Sequence, residues 1–192
     1  MKLVGKLLAT SVLALGFAYA TPHALDDVHS SVGFSVKHLM ITNVKGEFKK
    51  FNSEIDFDYK TKTFKTFKGI VETKSIDTGI VKRDNHLRSE DFFLAEKFPQ
   101  MTFVMKSYKG NGDEGIMTGE LSIRGTTKTV DFEVEDLGTI KDFEGNNRVG
   151  FTLKGKINRH DYGLKWNKAL EFGGVAVGDK VKITIEVEAV EL

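Results

Sequence analysis

Strict alternation of apolar and polar residues recurs along most of this chain, and a period of two marks a strand with one buried and one solvated face. Val32, Phe34 and Val36 alternate with Ser31, Gly33, Ser35 and Lys37. Ile55, Phe57 and Tyr59 alternate with Glu54, Asp56 and Asp58, and Met101, Phe103 and Met105 with Thr102 and Lys106. Met117, Leu121 and Ile123 lie opposite Thr118, Glu120, Ser122 and Arg124; Val130, Phe132 and Val134 lie opposite Asp131, Glu133 and Glu135. Further on, Val149, Phe151, Leu153 and Ile157 face away from Thr152, Lys154 and Lys156. The cleanest run comes last, with Val181, Ile183, Ile185, Val187 and Ala189 set against Lys182, Thr184, Glu186 and Glu188. With two weaker segments, around residues 44–51 and 67–76, this predicts about eight strands.

Turn chemistry separates the runs. Lys109–Gly115 reads as a hairpin loop, Gly125-Thr126-Thr127 as a tight corner and Glu144–Asn147 as another turn. Two stretches lack alternation. Residues 80–94 read as a short helix with Ser89 at its N-terminus, ahead of the acids Glu90 and Asp91, and with Phe98-Pro99 beyond it. Residues 159–178 read as a long loop before the final strand. The expected class is all-β: an extended eight-stranded antiparallel barrel, lipocalin-like, with a short helix and that long loop. A barrel is preferred to a sandwich because closure removes edge strands, and the last strand carries a charge or Thr at each outward position, as full pairing requires.

The N-terminus predicts export. Lys2 and Lys6 precede an uncharged apolar stretch, Leu7–Ala18, and Ala18-Tyr19-Ala20 supplies small residues before Thr21. The apolar run is too short to span a bilayer, which takes roughly 20 residues. Residues 1–20 are therefore expected to be a signal peptide and 21–192 a single domain, with no transmembrane span in the mature chain. Removing Lys2 and Lys6 from 28 basic residues leaves 26 against 27 acidic ones, so charge gives no reason to expect nucleic acid. The chain has no Cys, and its 15 Phe and 2 Pro point to a large regular core.

Polar clusters lie in the non-strand segments: Arg83-Asp84-Asn85-His86 and His160-Asp161. An Asp–His pair can serve as a general base, but no nucleophile motif accompanies either cluster, and no His pair has a metal-site spacing. Tying loops together by charge-assisted hydrogen bonds is the simpler role. No catalytic residue, metal or cofactor is assigned. The inward side chains Phe34, Val36, Met101, Phe103, Met105, Met117, Leu121, Ile123, Phe132, Phe151 and Leu153 could fill the barrel or line a cavity within it. Met and Phe suit adaptable slots, yet periodicity by itself favours a filled interior.

A family pattern runs through these elements. Asp27-Val28-His29-Ser30, Val32–His38, Lys45-Gly46-Glu47-Phe48, Ser75-Ile76-Asp77-Thr78 and Arg83–Phe93 resemble the YceI-like proteins. Phe98-Pro99 with Phe103, Gly119–Lys128 and Asn158–Leu164 extend the likeness over roughly residues 25–192. The resemblance implies a periplasmic lipocalin-like barrel that binds a polyisoprenoid, quinone-like or fatty-acid-derived amphiphile. It also implies a homodimer and a membrane redox partner of the cytochrome b561 kind as partners to consider, and no settled enzymatic activity. An enzyme acting on such a lipid through an Asp–His pair is the alternative. With the resemblance, the inward residues above and Trp166 become an expected apolar lining. His38, Arg83, Asp84, His86 and Arg159 become expected polar groups at its mouth. The family often has Phe or Trp where His160 or Tyr162 stands, so His160 is given no catalytic role.

Overall fold

The computed structural model describes residues 22–171 and 173–192; the expected signal peptide lies outside the described residues. The alternating runs form β1 (Pro22–Leu25), β2 (Ser31–His38), β3 (Thr42–Phe48), β4 (Phe51–Asp58), β5 (Thr63–Glu72) and β6 (Ile76–Asp77). They continue as β7 (Gln100–Asn111), β8 (Glu114–Ile123), β9 (Thr126–Lys141), β10 (Asn147–Asn158) and β11 (Val177–Glu191). Every pairing is antiparallel. β1 and β2 lie end to end along β11, β1 against Ala189–Glu191 and β2 against Val177–Glu186. β3 and β4 follow one another in the same way, against β2 and β1. With each broken pair counted once and β6 as a short strip beside β3, the result is an eight-stranded closed antiparallel barrel, lipocalin-like as expected.

Bulges explain where the sequence alternation slips. The β7–β8 register shifts between Met105 and Ser107, so the inward set runs Met101, Phe103, Met105 and then Tyr108. In β9 the left-handed Asp136 (φ 56°) follows Val134, and burial resumes at Leu137. Arg124 and Gly125 (φ 50° and 74°) make the tight β8–β9 turn.

The helix differs from expectation. α1 spans Val81–Arg88, and Ser89 closes it instead of opening it: its backbone N–H and its hydroxyl both donate to the His86 carbonyl. The start is held by Asp84, within the first turn, whose carboxylate accepts from the Thr78 amide (3.0 Å) and hydroxyl (2.5 Å). The Ser cap that the sequence suggested has no counterpart, since Ile80 is the N-cap and makes no side-chain cap hydrogen bond; Asp84 instead ties the helix to the segment before it. The long loop begins with a 3-10 turn, Arg159–Tyr162, and then runs to Val177.

Candidate ligand-binding cavity

One half of the barrel interior is filled by its own rings. Phe64 meets Phe57, Tyr108 and Phe151 edge-on at centroid separations of 5.1, 5.0 and 4.7 Å, the geometry that rings with opposed face and edge charge prefer. Met117, Leu153, Val134 and Val149 are fully buried beside them.

The other half is hollow. The inward residues of β11 divide along the strand: Val187 and Ala189 are buried, whereas Val181, Ile183 and Ile185 face the same way and are only half-buried. Val32, Phe34 and Val36 on β2 are half-buried too. These side chains surround a cavity with about 170 Å³ open to the centre of a water-sized sphere. Its wall runs from Val177 to Val187 on β11. Ten residues of strand make that roughly 30 Å long at about 3.3 Å per residue.

The cavity meets the surface where the barrel ladder is interrupted. β1 pairs with β4 only through Pro22 and His23, and β2 pairs with β3 from Gly33 onward. At this interruption Leu25 and Val32 on one side and Phe51, Asn52 and Ser53 on the other border the cavity, as does Glu186, with Asn52 and Glu186 exposed.

The opposite end is closed by α1, the turns after it and the 3-10 turn, through Leu87, Phe92, Phe93, Tyr162 and Leu164. These segments lack ladder partners, so their carbonyls need other donors. Arginines supply them. Arg88 donates to the carbonyls of Lys74 and Ile76, each at 2.7 Å. Arg124 donates to those of Gly163 and Glu90. Arg159 is 4% exposed and donates to four: Gly178 (2.9 Å), Leu164 (2.5 Å), Trp166 (2.9 Å) and Val177 (3.2 Å). Burial lowers the Arg159 pKa, partly offset by Asp179 at 3.8 Å. A guanidinium nevertheless stays charged, so a fixed cation sits on the apolar wall.

In a 3-10 turn, residues three apart project from the same side. Arg159 and Tyr162 are accordingly both buried and both border the cavity. The Tyr162 hydroxyl is buried without a hydrogen-bond partner. Burial and the neighbouring Asp161 push its pKa up to about 12, so it is a neutral donor at any physiological pH.

Of the apolar residues singled out in the sequence, Phe34, Val36, Met101 and Phe103 border the cavity, as do Leu121, Ile123 and Phe132. Met117, Phe151 and Leu153 lie in the buried core away from it, while Met105 and Trp166 pack against that core from partly buried positions. Trp166 stands against His86 and Phe92, at 4.9 and 5.3 Å between ring centroids. Among the polar residues only Arg159 borders the cavity. Arg83 grips Thr78 through its hydroxyl (2.7 Å) and carbonyl (2.8 Å), beside Asp84 on the same residue. His86 bonds Asp91 at 2.8 Å, and His38 lies in the ladder between Val177 and Thr42. Neither suspected Asp–His pair forms: Asp84 holds Thr78, and His160 approaches Asp179 at 3.4 Å. Tyr162 was missed because the sequence shows a polar cluster there, not the eclipsed geometry that turns one ring inward.

A second cluster, Asp26, His29 and Glu188, has the donor atoms of a metal site. The Arg148 guanidinium already sits there, donating to Asp26 (2.9 Å), Glu188 (2.8 Å) and Asp142 (2.9 Å). Hydrogen bonds from His29 and then Arg148 hold the Asp26 carboxyl down at about 2, and Arg148 holds Asp142 at about 2.

Comparison with known proteins gives a consistent set of likenesses. The YceI-like domain profile matches residues 23–189. A UPF0312 protein of Staphylococcus epidermidis is 41% identical over 169 residues, covering 88% of this chain and 96% of the relative. One from Staphylococcus aureus is 39% identical over 171 residues. The crystal structure of a Campylobacter jejuni YceI protein is 40% identical with a TM-score of 0.73, covering 88% of this chain and 96% of that one. A polyisoprenoid-binding domain from Saccharophagus degradans, described as implicated in plant cell wall breakdown, shares the fold at 14% identity and a TM-score of 0.66, over 90% and 99% of the two chains.

Proposed function

Because the chain belongs to the YceI-like domain family, we propose that it is a periplasmic binding or carrier protein that holds a long apolar amphiphile inside its barrel. The candidates are a polyisoprenoid, a quinone-like molecule or a fatty-acid derivative. The observation that carries this reading is the split along β11, where side chains of one facing are buried at Val187 and Ala189 but only half-buried from Val181 to Ile185. A side chain facing the interior of a closed barrel is half-buried only beside unfilled space. That space is long, narrow and apolar, which suits a chain better than a compact solute.

Each buried CH₂ contributes about 0.8 kcal/mol, so a chain of many methylene or isoprene units gains ample free energy. Net affinity stays nearer about 0.3 kcal/mol per heavy atom for larger ligands, and single methylenes are weakly discriminated. The polyisoprenoid-binding relative supports the ligand class through its shared fold. Among the described residues no helix is long and apolar enough to cross a membrane, and the basic-then-apolar leader of residues 1–20 supports export. The lipid-processing alternative finds less support, since His86 bonds Asp91 and not Asp84.

The test is solvent extraction of purified protein followed by mass spectrometry. A stoichiometric long-chain amphiphile is expected. Repeated preparations without one, combined with no uptake of added long-chain lipid by the extracted protein, would refute the proposal.

A further inference from the structure

We propose that the tip of the β2–β3 hairpin, with the apolar residues around it, docks on the surface of an anionic phospholipid bilayer. Leu39, Met40 and Ile41 enter the apolar edge of the membrane, and a collar of lysines meets the headgroups. The site is separate from the cavity and holds for any molecule that fills the barrel.

Exposure at this tip is concentrated and costly. Leu39, Met40 and Ile41 follow one another and are 38%, 54% and 81% exposed, whereas runs of exposed apolar residues are ordinarily avoided unless they serve a function. The Ile41 amide donates to the His38 carbonyl (3.2 Å), closing a turn whose central residues, Leu39 and Met40, are both left-handed. Asn and Gly suit such a turn; Leu and Met bring backbone strain as well as apolar exposure, and neither helps the fold. A second short hairpin braces the first. The Leu170 amide donates to the Gly174 carbonyl (3.1 Å), the Ala176 amide to that of Lys168 (2.9 Å) and the Leu39 amide to that of Ala176 (2.9 Å). A Cβ added to Gly174 would stand 3.3 Å from Met40 Cγ and 3.8 Å from Leu170 Cδ1, so the two tips form one knob.

The chain beside the knob extends the surface. β6 is antiparallel to β3, with Asp77 opposite Glu47, so the chain leaving β6 heads back toward the hairpin tip. It brings Ile80 and Val81, 51% and 75% exposed, to the same end of the barrel. Five of the eleven exposed large apolar side chains among the described residues therefore lie there.

Charge selects the partner. Lys37 and Lys45 flank the tip on β2 and β3, Lys82 follows Val81, and Lys165 and Lys168 lead into the second hairpin. All five are exposed, and none joins an ion pair among the described residues. Of the carboxylates nearby, Asp77 accepts from the Gly79 amide, Glu47 holds Lys49 and Asp179 faces His160, which leaves Glu171. The other end of the barrel exposes Val28 and Phe143, but beside Asp27, Glu144 and the carboxylates that share Arg148, a setting that an anionic surface repels. Basic residues near an anionic leaflet add attraction that fades within a Debye length. A knob of a few side chains falls short of the roughly 800 Å² per partner that a stable protein interface buries, whereas shallow insertion into a bilayer needs no matching surface.

The test is flotation of the protein without residues 1–20, whose apolar leader would itself bind lipid, with vesicles of phosphatidylcholine alone or mixed with phosphatidylglycerol. Wild type should float with the mixed vesicles, less with phosphatidylcholine alone, and less as salt rises. Leu39→Asn with Met40→Gly and Ile41→Thr, a variant relieved of the turn strain, should lose about tenfold or more in partitioning, and Lys37→Gln with Lys168→Gln about tenfold on the mixed vesicles. Val28→Ser with Phe143→Ser removes equally exposed side chains at the other end and should stay within about twofold of wild type. The chain has no Cys, so an environment-sensitive fluorophore on Ile41→Cys should shift to the blue on mixed vesicles, and one on Phe143→Cys should not. No flotation of wild type overturns the proposal, as does undiminished flotation of the tip variant. Equal loss in the tip variant and the Val28/Phe143 variant also overturns it, since that is general stickiness. None of these outcomes bears on the carrier reading, which the extraction experiment tests.

Discussion

If the interior is divided as described, the same kind of truncation must cost very different amounts in its two halves. Leu153 and Ile183 lie on the adjacent strands β10 and β11, both facing inward. Leu153 is fully buried among Phe and Val side chains, while Ile183 borders the cavity and is half-buried. Truncating Leu153 to Ala removes three carbons from close packing, about 2.4 kcal/mol of transfer free energy at about 0.8 kcal/mol per group. The new hole adds to this, and comparable substitutions cost about 2.7–5 kcal/mol. Ile183→Ala removes as many carbons, but they already face open space, so little new cavity is created and only part of the transfer term is lost. About 1 kcal/mol is expected. Urea unfolding of the solvent-extracted proteins, with the m-value unchanged, measures both. The reverse substitution sharpens the contrast: Val134→Phe should overpack the filled half by about 1–3 kcal/mol, whereas Val181→Phe should be nearly neutral and should reduce ligand uptake. Equal costs for Leu153→Ala and Ile183→Ala, within about 0.5 kcal/mol, would refute the division of the core.

Three further outcomes follow from the structure. Arg159→Met should cost about 3 kcal/mol or more, since the carbonyls of Gly178, Leu164 and Trp166 lose the Arg159 donor while that of Val177 keeps Asn167 (2.7 Å), and amides between Leu164 and Val177 should lose hydrogen-exchange protection first. Asp26 and Asp142 have carboxyl pKa values lowered from 3.8 to about 2, so their contribution is complete above pH 4 and disappears as pH falls toward 2. Arg148→Met should remove most of the Asp142 share and part of the Asp26 share, which His29 also holds, and move acid unfolding to higher pH, followed by circular dichroism. The β2–β3 turn puts Leu39 and Met40 at φ 50° and 62°, left-handed positions that Asn and Gly adopt readily. Leu39→Asn with Met40→Gly should therefore raise stability by about 1–2 kcal/mol in the same urea titration.

Much of the barrel could be read from the chain because alternation is a local property. Val181 to Ala189 declare their inward face without reference to any other strand. Hollowness is not local. Ile185 and Val187 are equivalent in pattern and chemistry, and they differ only in what stands across the barrel. On β10 both have large apolar partners, Phe151 for Val187 and Leu153 for Ile185, whereas on the other side Ile185 pairs with Val32 at the edge of the ladder gap. The polar residues misled for a related reason. Arg83, Asp84 and His86 are dense and charged, as a mouth would be, yet irregular backbone also needs donors and acceptors. The fork of Arg83 and the carboxylate of Asp84 are used on Thr78. Whether a buried Arg serves a ligand or a carbonyl depends on the path of the loop, which the residue string does not carry.

The division of the core also explains how a barrel without disulfides can keep a cavity. Unfilled volume removes packing partners from its lining, and the hollow half offers few ladder bonds near the gap to offset that loss. The edge-to-face cluster around Phe64 holds one end of the barrel, and Arg88, Arg124 and Arg159 fasten the other by their carbonyl bonds. Between these two fixed ends the wall of β2 and β11 can remain lined by half-buried Val, Ile and Phe. The fastening at the closed end is also what turns Tyr162 inward, because Arg159 and Tyr162 share one 3-10 turn. A single local geometry thus closes the barrel and sets Arg159 and Tyr162 on the cavity wall, so loosening Arg159 should weaken binding of a long apolar chain even where the wall of β2 and β11 is untouched.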